Sequence, residues 1–267
     1  MLDKFIHKTL RVPYRLFVAH DRRVENETIT LVLWHGIGSS YRVWTKTINE
    51  ISHNSAFDNA RLVTIDLLGF GKSPAPSWCN YTTDDHLHAL RRTLKSLRIK
   101  TPIILVGHSM GSLLAVEYST VYPEKIAALA LVSPPFLQPK ESKALLNRFY
   151  HKAYDKILTA KQTKQLEQVA SFFEKFTSFE ADSIGQESLQ RSMKHVVIGS
   201  RTLSQVKKLK LPIHLFHGSL DILVNGANLK PLSKKANISF HASPIGHDVV
   251  GLKRKQLIKV LSKLVSE

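Results

Sequence analysis

The sequence predicts an α/β protein in which a mostly parallel, twisted β-sheet is covered by helices on both faces. Short apolar runs of four to six residues alternate along the chain with stretches of helical periodicity. Most of these runs show no polar alternation, which is typical of strands buried on both faces of a parallel sheet. The predicted strands are Ile29–Trp34, Leu62–Ile65, Ile103–Val106, Ala128–Val132, Ile213–Phe216 and Ile238–His241.

The segments between these strands carry helix signals. After Tyr81-Thr82-Thr83 a threonine can cap a helix, and the two aspartates that follow suit its positive N-terminal end. Further helices are predicted over Ser112–Val121 and Lys253–Val265. The stretch Thr9–His20 is expected to supply antiparallel edge strands.

The alternation of strands and helices is interrupted once, between Pro134 and Val206. This segment has no strand-like run, and its helical patterns lie at Ser142–Thr159, Gln162–Thr177 and Glu187–Ile198. We therefore predict a core of residues 1–133 and 207–267, with 134–206 inserted as a helical cap. The cap is expected over the carboxyl ends of the strands, where open α/β sheets bind ligands. Phe172, Phe176 and Phe179 recur at helical spacing, which indicates the interior of the cap rather than a substrate wall.

Composition is that of a globular protein, with 43% hydrophobic residues among 267 and a formal net charge of +17. The N-terminus lacks the apolar segment of a signal peptide, and we expect no transmembrane segment. The single cysteine, Cys79, cannot form an internal disulfide, which suits a reducing compartment. We therefore expect a cytoplasmic protein.

The basic charge does not indicate a nucleic-acid partner. Lysines and arginines are scattered, and the densest runs, Lys207-Lys208-Leu209-Lys210 and Lys253-Arg254-Lys255, are short. The aromatic-basic motifs and zinc spacings of nucleic-acid modules are missing, so no specific nucleic-acid partner is expected. Attraction to anionic substrates or surfaces stays open.

One short stretch carries a chemical signal. Gly107-His108-Ser109-Met110-Gly111 fits G-x-S-x-G directly after a predicted buried strand and before a predicted helix. In that context the pattern is typical of a nucleophile elbow, which exposes a serine hydroxyl at the edge of the sheet. We predict that Ser109 is a nucleophile.

A serine nucleophile needs a base and a group that orients the base. On such sheets the chain order is serine, acid, histidine. Asp221 follows the predicted strand Ile213–Phe216, and His247 lies in the loop after the last strand. We predict Asp221 as the acid and His247 as the base, with the adjacent Asp248 as the rival acid.

An acyl-transfer site also needs donors for the developing oxyanion. The backbone N–H groups of Met110 and of Ile37, in the loop after Ile29–Trp34, are the predicted oxyanion hole. Gly36, Gly38 and His108 adjoin these donors and are predicted to border the substrate.

These features together resemble the α/β-hydrolase superfamily over nearly the whole chain. Asp66-Leu67-Leu68-Gly69-Phe70-Gly71-Lys72-Ser73 also looks like that family's D-x-x-G-x-G-x-S turn, in which Asp66 is mostly architectural. Ser112 is a departure, since many relatives carry glycine there. The resemblance implies a Ser109–His247–Asp221 triad and a serine hydrolase, and we predict cleavage of small-molecule esters with small or medium acyl chains.

Other functions stay open at this point. A carbon–carbon-bond hydrolase of ring-cleavage products is the main alternative, although such relatives often carry Asn before the serine and Trp after the histidine, where this chain has His108 and Asp248. A non-catalytic ligand-binding member and a basic surface adaptor are the others. No cofactor or metal is expected, because His86 and His88 diverge on a helix and no phosphate-loop motif is present. The oligomeric state is not predicted.

Overall fold

The computed structural model describes residues 2–138, 185–247 and 252–266. Its centre is a seven-stranded sheet in the order β1-β3-β2-β4-β5-β6-β7. β1 pairs antiparallel with β3, and all other neighbours are parallel. The strands are β1 Val18–Arg22, β2 Ile29–Trp34, β3 Ala60–Ile65, β4 Ile103–His108, β5 Ile126–Val132, β6 Ile213–Gly218 and β7 Ile238–Ser243.

The helices of the described residues are numbered here in chain order. They are α1 Leu2–Lys4, α2 Thr45–Ser52, α3 Thr83–Ser96, α4 Met110–Val121, α5 Gln186–Ser192, α6 Thr202–Val206, α7 Gly226–Leu229 and α8 Leu252–Leu264. α1 continues into a π-helical turn over Phe5–Thr9, and α5 continues into another over Met193–Ile198. Thr82 caps α3 through a capping box with Asp85, as its hydroxyl accepts from the Asp85 amide.

Both faces of the sheet are buried. In β2, Val32 and Trp34 pack into one apolar cluster, and Leu31 and Leu33 pack into a second cluster on the opposite face. Side chains of α3 and α4 complete the first cluster, while α2 and α8 complete the second. This two-sided burial is the physical reason that the strands are continuously apolar, and it confirms the predicted fold class.

The first part of the chain differs from the prediction. Of the expected edge strands in Thr9–His20, only the beginning of β1 at Val18 is observed, and Phe5–Thr9 is π-helical. The alternation of the sequence is too short there to distinguish an edge strand from an irregular approach to one.

The cap is described only at its two ends. Residues 185–206 form α5, its π-helical extension and α6, in agreement with the helical pattern at Glu187–Ile198. The predicted helices Ser142–Thr159 and Gln162–Thr177, and the aromatic stripe of Phe172, Phe176 and Phe179, lie outside the described residues. The boundaries of the cap stay predictions.

Candidate active site

Ser109 lies on a sharp turn between β4 and α4, at the carboxyl edge of the sheet. Its backbone adopts φ 51° and ψ −119°, in the left-handed region that non-glycine residues rarely occupy. Such a conformation costs on the order of 1–3 kcal/mol and persists only when its surroundings hold it. The Ser109 amide donates to the Val132 carbonyl at 2.9 Å, which ties the turn to β5.

The glycines around this turn allow close packing of backbone. A Cβ on Gly111 would lie 2.5 Å from the Trp34 carbonyl oxygen and 2.6 Å from that of His35, so the start of α4 fits against the end of β2 only without a side chain. A Cβ on Gly36 would lie 3.0 Å from the Ser109 Cβ. The loop that follows β2 therefore borders Ser109 directly.

Ser112, the departure from the usual glycine, is accommodated by hydrogen bonds. It is fully buried, and its hydroxyl lies within donating distance of two carbonyls, 2.7 Å from Gly107 and 3.2 Å from Val132. A small hydroxyl at this position therefore joins the turn to both neighbouring strands, and the elbow keeps its shape.

Asp221 and His247 are brought together by the loops that follow β6 and β7. The His247 Nδ1 lies 2.9 Å from the Asp221 Oδ2, and both residues are buried. The other oxygen of Asp221, Oδ1, accepts from the amides of Leu223 at 2.9 Å and Val224 at 3.1 Å. Because a carboxylate only accepts, Nδ1 carries the proton of this hydrogen bond, and Nε2 is the ring nitrogen left for another partner.

The main chain of His247 is held from the elbow side. His108 Nε2 lies 3.1 Å from the His247 carbonyl oxygen, and the Ser133 hydroxyl lies 3.2 Å from the same oxygen. Since a carbonyl only accepts, both side chains donate to it. His108, predicted to border the substrate, thus contacts the histidine loop, a long-range pairing that no local sequence signal indicates.

His35 fixes the loop that carries the predicted oxyanion donor. The Leu67 amide donates to His35 Nε2 at 2.8 Å, so Nδ1 bears the proton and donates to the Gly36 carbonyl at 2.7 Å. Burial lowers the pKa of His35, although the nearby Asp66 carboxylate acts in the opposite direction. In a trans peptide the Gly36 carbonyl and the Ile37 N–H point in opposite directions, so this bond orients the Ile37 N–H as well. Sequence reasoning missed this residue.

Asp66 organises backbone at the carboxyl edge. Its Oδ1 accepts from the Tyr41 amide at 2.7 Å and its Oδ2 from the Lys72 amide at 2.9 Å, and the side chain is fully buried. These contacts join the loops after β2 and β3, in keeping with an architectural position. Within the described parts of the chain, no cluster of three or more His, Cys, Asp or Glu residues is arranged to hold a metal ion.

A mostly parallel sheet with helices on both faces, and a sharp serine turn between β4 and α4, is typical of α/β hydrolases. A family model of the alpha/beta hydrolase fold matches residues 29–183, more than half of the chain. The chain belongs to the α/β-hydrolase fold family, which confirms the resemblance found in the sequence.

Relatives and solved structures agree with this placement. The chain is 38% identical over 123 residues to the probable lysophospholipase BODYGUARD 1 of Arabidopsis thaliana, covering 45% of this chain and 26% of that protein. It is 32% identical over 137 residues to the human (lyso)-N-acylphosphatidylethanolamine lipase, covering 49% of this chain and 38% of that one. The matched segments thus span well under half of each relative.

The fold is shared more widely. The hydrolase olei00960 of Oleispira antarctica superposes with a TM-score of 0.76 at 14% identity, covering 95% of this chain and 96% of that one. An esterase from Exiguobacterium antarcticum gives 0.70 at 16% identity, covering 94% and 96%. At this identity the likeness shows the fold alone.

The remaining predicted site residues are Met110, Gly38 and the rival acid Asp248. Met110 is the first residue of α4, where amides have no acceptor within the helix. Gly38 lies two residues after Gly36 in the same loop and has φ 66°, which glycine adopts readily. Asp248 lies outside the described residues, so the preference for Asp221 over its neighbour stays a prediction that the Asp221–His247 contact supports.

Proposed function

We propose that the protein is a serine hydrolase that cleaves carboxylic esters through an acyl-enzyme. The observation that carries the proposal is the hydrogen bond between His247 Nδ1 and the buried Asp221 carboxylate, at the same sheet edge as the strained Ser109. With Nδ1 engaged by the carboxylate, Nε2 is the nitrogen that we propose takes the proton of a serine hydroxyl.

In the proposed reaction, His247 Nε2 accepts the Ser109 proton as the Ser109 Oγ attacks the ester carbonyl carbon. The tetrahedral intermediate places its oxyanion at the Ile37 and Met110 N–H groups. Each such donor contributes about 3–4 kcal/mol to transition-state stabilisation. The Gly36–Ser109 proximity and the His35 bond to the Gly36 carbonyl support the assignment of Ile37.

Collapse of the intermediate breaks the ester C–O bond, and His247 gives its proton to the leaving alcohol. Water then attacks the acyl-enzyme with His247 as base, which releases the carboxylic acid and restores the Ser109 hydroxyl. Asp221 stabilises the imidazolium in both half-reactions without taking the proton.

The substrate proposal is an ester of a small-molecule or lipid alcohol. Two relatives carry names that refer to lysophospholipid or N-acylphosphatidylethanolamine hydrolysis, and both are matched over less than half of this chain. Small or medium acyl chains stay our prediction for the acyl group, and a panel of p-nitrophenyl esters of increasing acyl length measures it.

The Ser109→Ala variant tests the reaction class. We expect it to fold as the wild type does and to lose turnover of p-nitrophenyl acetate or butyrate. Unchanged turnover in a folded Ser109→Ala protein would contradict the proposal. If neither protein hydrolyses an ester while the wild type cleaves a ring-cleavage diketone, the carbon–carbon-bond hydrolase replaces the esterase.

A further inference from the structure

Exposed apolar side chains are frequent in the N-terminal segment of the chain. In the described part of the chain, the large hydrophobic residues classed as exposed are Leu2 at 72%, Phe5 at 53%, Leu10 at 56%, Val121 at 51%, Leu220 at 66% and Ile222 at 43%. Scattered exposed residues are ordinary on a protein surface, whereas a concentration of them indicates an interaction site.

The N-terminal segment, residues 2–15, lies at the carboxyl edge of the sheet. β1 runs antiparallel to β3, with Val18 opposite Ile65 at the carboxyl end of β3, so the chain enters β1 from that edge. Tyr14 donates to Asp3 at 2.8 Å and its ring lies 5.9 Å from that of Trp78. A groove of about 420 Å³ between this segment and the loop after β3 is lined by Lys8 and Leu68, among others.

Leu220 and Ile222 are distant from this segment, because β3, β2, β4 and β5 lie between β1 and β6 in the sheet. Leu220 and Ile222 flank Asp221 in the loop after the carboxyl end of β6. Val121 is also distant, because α4 begins at the carboxyl edge beside Ser109 and runs back to end at the opposite edge. Three of the six exposed residues, Leu2, Phe5 and Leu10, therefore fall within nine residues of one segment.

The segment presents its apolar side chains on successive turns. Leu2 and Phe5 are three residues apart, and the Leu10 amide donates to the Phe5 carbonyl at 3.0 Å, which closes one π-helical turn. Around them, Lys4, Lys8, Arg11 and Arg15 are exposed, and Asp3 is the only carboxylate of residues 2–15. Four cations against one anion give this segment a net charge of +3 before its histidine is counted.

We propose that residues 2–15 form a surface that docks on an anionic phospholipid bilayer. Apolar side chains ringed by lysine and arginine are the pattern of interfacial segments, in which the apolar groups enter the acyl boundary and the cations meet anionic headgroups. Docking on this edge turns the candidate active site toward the membrane. Such docking is a property beyond the proposed ester hydrolysis.

Vesicle sedimentation tests the proposal on the full chain carrying Ser109→Ala, so that the result does not depend on hydrolysis of the lipid. Sucrose-loaded vesicles are prepared from phosphatidylcholine alone and from an equimolar mixture with phosphatidylglycerol. We expect at least about tenfold tighter binding to the anionic vesicles, weakened by added salt. No binding to the anionic vesicles overturns the proposal.

A triple substitution separates this segment from the general basic charge of the protein. Leu2→Ser, Phe5→Ser and Leu10→Ser together are expected to lower vesicle affinity by about tenfold or more, since apolar burial contributes to interfacial binding. Val121→Ser is the matched control, with a side chain of similar exposure at the opposite edge, and is expected to bind as the parent does. Equal binding by the triple variant overturns the proposal.

Light scattering distinguishes a second copy of the chain as the occupant. The proposal expects the parent and the triple variant to have the same mass in solution without vesicles. A dimer that the triple variant dissociates, without any vesicle binding by the parent, assigns the surface to self-association and overturns membrane docking. Circular dichroism checks that all variants are folded.

Discussion

Replacing Asp221 by asparagine separates the catalytic use of this side chain from its structural use. Asp221 accepts hydrogen bonds from His247 Nδ1 through Oδ2 and from the Leu223 and Val224 amides through Oδ1. An asparagine keeps one acceptor oxygen for the two amides but directs an N–H₂ group at His247. The imidazole must then accept at Nδ1 and carry its proton on Nε2, where it cannot act as a base toward Ser109.

We expect Asp221→Asn to lower kcat on a short p-nitrophenyl ester by about 10⁴-fold, or roughly 5 kcal/mol of activation free energy. The free energy of unfolding is expected to change by less than about 1 kcal/mol, because the asparagine oxygen still accepts from the two backbone amides. Asp221→Ala is the contrast. Alanine removes the acceptor of the Leu223 and Val224 amides. We therefore expect a loss of roughly 2–4 kcal/mol of stability in addition to the loss of turnover.

Urea unfolding and initial rates with the same preparations provide the two measurements. Retention of kcat within about tenfold by Asp221→Asn would refute the assigned role of Asp221. If Asp248→Asn then abolishes turnover, the rival carboxylate is the acid. A loss of activity that merely follows unfolding in both Asp221 variants would also refute the separation of roles.

Two further predictions concern stability. Gly111→Ala places a Cβ within 2.6 Å of the Trp34 and His35 carbonyl oxygens, and we expect a loss of roughly 1–3 kcal/mol of stability by thermal unfolding. Gly246→Ala is the control, because a Cβ added there has no heavy atom within 4 Å. An equal change in both variants would contradict the close packing at the elbow. Burial lowers the pKa of His86 from 6.5 to about 4, with the Asp85 carboxylate opposing the shift. The unfolded chain therefore binds the proton first, and stability is full above pH 6.5 and falls by about 3 kcal/mol as the pH drops to about 4. His86→Gln should flatten the urea-unfolding profile across that range, and an unchanged profile would contradict this source of acid sensitivity.

The sheet could be predicted because its strands are buried on both faces. Leu31, Val32 and Leu33 leave no polar side chain in the middle of β2, and the same continuity marks β4 and β5. The last residue of each apolar run marks the carboxyl end of its strand. Ser109, Asp221 and His247 could therefore be proposed from the order in which they follow these strands. In the structure Asp221 and His247 make the expected contact.

The parts that could not be predicted depend on contacts between distant segments. The donation of His108 and Ser133 to the His247 carbonyl joins residues more than 100 positions apart. In the sequence, His35 is only a histidine in a glycine-rich loop. Its contacts with the Leu67 amide and the Gly36 carbonyl show which ring nitrogen donates. Residues 10–17 form no strand, so the edge-strand prediction for Thr9–His20 was wrong over most of its length.

Part of the net positive charge of the protein lies on residues 2–15. Residues 2–15 combine exposed cations with exposed apolar side chains, whereas the run Lys207-Lys208-Leu209-Lys210 contains no exposed large apolar side chain. In the parts of the chain that the structure describes, no helix has the length and apolar content to cross a membrane.

The activation of Ser109 by His247 is tested most directly with a fluorophosphonate probe followed by mass spectrometry of the labelled peptide. The serine oxygen displaces fluoride from phosphorus, so an activated Ser109 acquires a covalent phosphonyl group whose mass identifies the residue. We expect rapid labelling at Ser109 in the wild-type protein and labelling slower by at least about 10³-fold in a folded His247→Ala protein. Equal labelling rates in the two proteins, or no adduct on residue 109 of the wild type, would contradict the account.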